Sequence, residues 1–106
     1  MRYFNNIQFQ PKTVIGDFVL LPTGKEAQYD GFDVEAANGT RKYELQTSMT
    51  ENESGIREIE IHVTDKETST KERFEYLSIS RAYRPVDILK NFIEEALIEF
   101  EVHYAI

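Results

Sequence analysis

Phe32-Asp33-Val34-Glu35-Ala36-Ala37-Asn38-Gly39-Thr40-Arg41-Lys42-Tyr43-Glu44-Leu45 is the stretch on which the fold turns. Asn38-Gly39 between two alternating runs predicts a tight hairpin, because both residues accept the positive φ that a type I′ turn imposes. Pairing Ala37 with Thr40 sets Val34 opposite Tyr43 and Phe32 opposite Leu45, so the apolar side chains share one face. Glu35 then meets Lys42 on the other face. Asp33 against Glu44 is the one like-charged pair in that register.

Reading toward the C-terminus, Ile59, Ile61 and Val63 alternate with Glu58, Glu60 and His62, and the chain returns through Phe74 and Tyr76 after the polar loop Asp65 to Thr70. This predicts a second hairpin over 57–79, with Ile61 opposite Phe74 and Ile59 opposite Tyr76. Leu77 and Ile79 fall in the opposite phase, which predicts a bulge or a doubly buried strand near Tyr76. The polar segment Ser48 to Gly55 reads as the link between the hairpins 32–45 and 57–79, bringing Leu45 opposite Ile59. Four antiparallel strands with one apolar face need a cover.

The cover is predicted from Pro85, which suits a first helical turn, with Asp87 near the positive end of the helix dipole. At the helical period Leu89, Ile93, Ala96, Leu97, Phe100 and Tyr104 form one stripe, with Val86, Phe92 and His103 at its edges. A helix from Pro85 to Tyr104 is on the order of 30 Å long, enough to cross four to six strands. Toward the N-terminus, Met1 to about Leu21 predicts two short strands joined near Gln10 to Thr13, the second bent or bulged at Gly16, followed by a turn at Pro22-Thr23-Gly24-Lys25. The expected class is α+β: an antiparallel sheet of five or six strands against one C-terminal helix, in a single domain of 106 residues.

Composition narrows the function classes. The chain has no cysteine, which excludes disulfides, thiolate metal sites and a cysteine nucleophile. Its apolar runs, such as Phe18-Val19-Leu20-Leu21, fall far short of the roughly 20 residues of a membrane span, and Met1-Arg2-Tyr3-Phe4-Asn5-Asn6 is unlike a secretion signal. A cytoplasmic protein is expected, and the triplets Asn38-Gly39-Thr40 and Asn52-Glu53-Ser54 read as turns rather than glycosylation sites. A net charge of −7 argues against direct nucleic-acid binding, which needs clustered Lys and Arg.

No motif carries a chemistry. His62 and His103 are the only histidines, and no His/Asp/Glu cluster has metal-ligand spacing, so neither a metal nor a cofactor is expected. The carboxylates Glu58, Glu60 and Glu75 read as a solvated face, and no phosphate loop or nucleophile elbow is present. Residues 85–106 hold five acids against one base, −4 of the total −7. Glu94, Glu95, Glu99 and Glu101 therefore suggest an acidic stripe. Ile98 and Val102 stand on that charged side, with Ile88 not far away. Either the helix is packed on two sides, or this pair meets a partner or a second subunit. Arg81 and Arg84, just before the helix, form a weak anion-binding candidate.

The leading expectation is a small non-enzymatic protein-binding module of inhibitor, immunity, anti-defence or adaptor type. It would dock through Glu94, Glu95, Ile98, Glu99, Glu101 and Val102 on a basic partner surface, such as that of a nucleic-acid-binding protein. A second reading is a ligand-binding module or small enzyme with an apolar pocket lined by Phe32, Tyr43, Phe74 and Tyr76. A third is a homodimer or other homo-oligomer built through Ile98 and Val102.

Overall fold

A computed structural model describes residues 2–3, 13–22, 31–79 and 84–104. The chain runs through β1 (Arg2–Tyr3), β2 (Thr13–Ile15), β3 (Phe18–Pro22), β4 (Gly31–Asn38), β5 (Arg41–Glu51), β6 (Arg57–Asp65), β7 (Lys71–Ser78) and α1 (Pro85–Tyr104). Strands β2 to β7 hydrogen-bond in sequence order, each antiparallel to the last. The two-residue β1 pairs with Glu51 and Thr50 at the end of β5 that β4 leaves free. One antiparallel sheet with one helix makes the fold α+β.

The central hairpin forms, but in a different register. Asn38 pairs with Arg41, which places Val34 opposite Leu45 and Ala36 opposite Tyr43. The two turn residues are Gly39 and Thr40, and Gly39 has φ 62° while Thr40 does not share the positive φ. That is the pattern of a type II′ turn, with glycine first. Asn38 stays in the strand because its side-chain amide is engaged elsewhere, donating to both carboxylate oxygens of Glu101 at 3.1 and 3.2 Å. Each residue's partner shifts by two positions, so the faces are unchanged. Glu35 now faces Glu44 instead of Lys42, and Lys66 offsets the repulsion with Nζ 2.8 Å from Glu35 Oε1.

The second hairpin has the expected register, Ile61 with Phe74 and Ile59 with Tyr76. The predicted bulge is absent: pairing continues unbroken to Ser78, and Leu77 and Ile79 face out at 69% and 80% exposure. The link between the hairpins is shorter than its polarity suggests. Ser48 to Glu51 extend β5, Met49 is fully buried, and Leu45 faces Val63 rather than Ile59. Asn52 closes the turn, its Oδ1 accepting the N–H groups of Ser54 and Ile56. Gly16 does not bend a strand. It begins the β2–β3 turn, with φ 58° and Ile15 opposite Phe18. The expected joint at residues 10–13 and turn at 22–25 lie largely outside the described residues, with Thr13 in β2 and Pro22 ending β3.

Period-two burial explains the sheet's inner face. Tyr43, Leu45, Thr47 and Met49 on β5, and Ile59, Ile61 and Val63 on β6, all turn inward. The helix presents Leu89, Ile93, Ala96, Leu97 and Phe100 to that face, each with no exposed surface. Full burial of a Leu, Ile or Phe side chain is worth about 2 kcal/mol, several times an exposed i,i+4 ion pair, so packing holds α1 in place. The sheet reaches up both flanks of the helix. On one flank Glu94 lies against Gly16; on the other, Phe92 stacks on Tyr76 with ring centroids 4.6 Å apart.

Candidate functional site

The side of α1 turned away from the sheet carries the candidate surface. Ile98 and Val102 lie one turn apart and are 49% and 57% exposed, with Glu95 and Glu99 exposed beside them. Residues at i and i+4 stand next to each other on a helix, so Ile98 and Val102 make one small apolar spot with acids on its flank. The sheet packs against the opposite side of the helix. Ile88, grouped with this pair in the sequence reading, is instead buried at 5% exposure, and Tyr104, expected in the inner stripe, is 52% exposed.

Two of the four helix glutamates named from the sequence are turned toward the sheet. Glu101 has a side chain only 17% exposed. Its Oε2 accepts the Tyr43 hydroxyl at 2.6 Å, it accepts the Asn38 amide, and Arg41 Nη1 lies 3.6 Å away. Burial, and then the bond to Glu101, push the Tyr43 phenol well above the ordinary tyrosine range. Glu101 therefore ties the end of the helix to the β4–β5 hairpin and does not belong to the exposed helix face. Glu94 is half-buried, and a Cβ built on Gly16 would stand 2.8 Å from its Oε2. Glycine at position 16 both takes the positive φ and leaves room for this carboxylate. The arrangement that survives is the ridge Glu95, Ile98, Glu99 and Val102.

Other candidates resolve into local structure. Arg84 is exposed, but its Nε donates to Asp87 Oδ2 at 3.1 Å, while its carbonyl accepts the N–H groups of Asp87 and Ile88. It closes the first helical turn, and Arg81 lies outside the described residues. His62 and Arg73 both reach Glu60, at 2.7 and 2.9 Å, and Arg73 also pairs with Glu75. His103 Nδ1 lies 3.0 Å from Glu72 Oε2 on β7, and that hydrogen bond raises the imidazole pKa above its ordinary value. Among the described residues no three His, Asp or Glu side chains converge as a metal site.

The aromatics considered as pocket lining are engaged in packing. Tyr43 is fully buried edge-on to Phe100, Phe74 is 7% exposed, and Tyr76 is stacked on Phe92. The Tyr76 hydroxyl is enclosed without a hydrogen-bond partner, and burial with the nearby Glu95 and Glu99 pushes its pKa up to about 12. The side chain of Phe32 lies outside the described residues. The sequence reading missed the roles of Asn38, Arg41 and Tyr43, which become visible only once the hairpin register brings them beneath Glu101.

Among the described residues no helix is long and apolar enough to cross a membrane. Comparison of the chain with protein-family models, with curated proteins and with solved structures finds no match.

Proposed function

We propose that this protein is a non-enzymatic, cytoplasmic protein-binding module, of the inhibitor, immunity or adaptor kind, that docks the outer ridge of α1 on a basic surface of a partner protein. The observation that supports this reading is the exposed pair Ile98 and Val102 on a helix face whose remaining neighbours include Glu95 and Glu99. An apolar spot contributes affinity by burial, and the flanking acids supply direction and on-rate toward a positive surface. The exposed acids of the ridge, Glu95 and Glu99, make a protein that normally holds a phosphate backbone a fitting partner.

The test compares wild type with Ile98→Glu and Val102→Glu in affinity capture from the protein's own host, with circular dichroism and urea unfolding as controls. Both positions are half-exposed, so the variants should fold with midpoints near wild type. A specific protein retained by wild type and lost by both variants supports the ridge. Retention unchanged in both variants removes it, and self-association lost in the same variants turns the reading to a homo-oligomer.

A further inference from the structure

Among the described residues, strand β7 forms a regular, unpaired edge of the sheet. It pairs with β6 from Lys71 to Ser78 without interruption, and among the described residues nothing pairs with its other side. The N–H of Asp65 donates to the carbonyl of Thr70 at 2.8 Å, which sets the alternation along the strand. Residues 72, 74, 76 and 78 turn their main-chain groups to β6, and Lys71, Arg73, Glu75 and Leu77 turn theirs outward. Four N–H and four C=O groups therefore line an edge that carries neither proline nor bulge. Such an edge templates another strand unless its side chains forbid the pairing.

Here the side chains select a partner. In an antiparallel ladder, opposed residues aim their main-chain groups alike, so a strand can meet its own copy only in registers centred on a residue. Centring on Glu72 sets Lys71 against Arg73, and centring on Arg73 brings Lys71 opposite Glu75 but opposes two arginines at the axis. Centring on Glu75 opposes two glutamates, and centring on Tyr76 leaves Arg73 and Glu75 against Ile79 and Leu77. Centring on Phe74 places Arg73 opposite Glu75 of the second copy, twice by symmetry, and lays the Lys71 stem along the 69% exposed Leu77. The same register uses all eight outward main-chain groups.

We propose that β7 pairs antiparallel with β7 of a second copy about a two-fold axis at Phe74, joining two sheets into one. The pairing is isologous, as a closed dimer requires. It uses a surface separate from the helix ridge and does not depend on the function proposed above.

The test is sedimentation velocity on the full chain at concentrations rising to about millimolar, a range that detects weak edge-to-edge association. Wild type is expected to shift from monomer to dimer. Arg73→Glu alone and Glu75→Arg alone each oppose like charges twice and should weaken the dimer at least about tenfold. An equimolar mixture of the two variants restores opposite charges at every pair and should sediment as a dimer. Arg73 also pairs with Glu60 and Glu75 of its own sheet, but both exchanged side chains are more than half exposed, at 55% and 65%, where such pairs add little stability, so the variants are expected to keep the fold, checked by circular dichroism and urea unfolding. Glu75→Pro gives a second route, since it removes an outward N–H and leaves the β6–β7 ladder bonds in place. A wild type that stays monomeric overturns the proposal. So does a dimer that persists in both single variants, a mixture that fails to associate, or a dimer abolished by Ile98→Glu but not by the charge exchanges.

Discussion

At the scale of single residues, Glu101 does more for the fold than its place in an acidic run suggests. Its carboxylate accepts the hydroxyl of the fully buried Tyr43 and the Asn38 amide, with Arg41 nearby. Removing an acceptor from a buried donor costs the donor's desolvation as well as the bond. Glu101→Ala is therefore expected to lower stability by about 2 kcal/mol, read as a fall in urea midpoint at unchanged slope. The same substitution in a Tyr43→Phe background should cost clearly less, because no hydroxyl is stranded. An undiminished loss there would assign the effect to something other than the hydroxyl. Glu101 was legible only as one acid among five on the helix, since its neighbours across the hairpin come from a register that Asn38 itself selects.

At the scale of elements, the C-terminal turn of α1 is fastened to β7 through His103 and Glu72, 3.0 Å apart, with Glu99 adding negative potential. The imidazole pKa in the fold is raised above the ordinary value of about 6.5. A raised basic group stabilises the fold fully below its unfolded pKa, and that contribution is lost as pH rises through the folded value. His103→Gln is thus expected to lower the unfolding midpoint at about pH 5.5 and to leave it unchanged at about pH 8.5. A midpoint difference that is the same at both values would disconnect the helix end from this pair.

The elements themselves were largely readable. Strand alternation and the helical stripe depend on burial, which repeats at fixed periods along the chain and survives errors in register of two or four residues. Turn boundaries were harder to read, because side chains such as those of Asn38 and Asn52 decide them through contacts beyond their own position. Ser48 to Glu51 looked like a linker by polarity, although Thr47 and Met49 continue the inward rhythm of Tyr43 and Leu45. The phase change at Leu77 and Ile79 suggested a bulge. A regular strand that leaves two apolar residues in solvent gives the same pattern.

At the scale of the whole molecule, a net charge of −7 surrounds every contact the protein makes. Steering by such a field decays over a Debye length, roughly 10 Å at 0.1 M salt and 3 Å at 1 M. Affinity for the partner captured through the helix ridge should therefore fall at least about tenfold between 0.05 and 0.5 M salt, measured by titration with the purified partner. The Ile98 contribution should persist at the higher concentration, since apolar burial is not screened. Affinity indifferent to salt would leave the apolar spot as the whole of the interaction.

The order of the elements along the chain has a consequence for how the molecule is made. Strands β2 to β7 are each bonded to the next, and the helix that covers them follows them in the chain. A ribosome delivers the N-terminal elements first, so the oily floor formed by Leu20, Val34, Leu45 and Ile61 is complete before the residues that roof it have left the exit tunnel. During that interval a nascent chain is a sticky half-shell, and a stall or cleavage ahead of Pro85 would release a species prone to clumping rather than a smaller working protein.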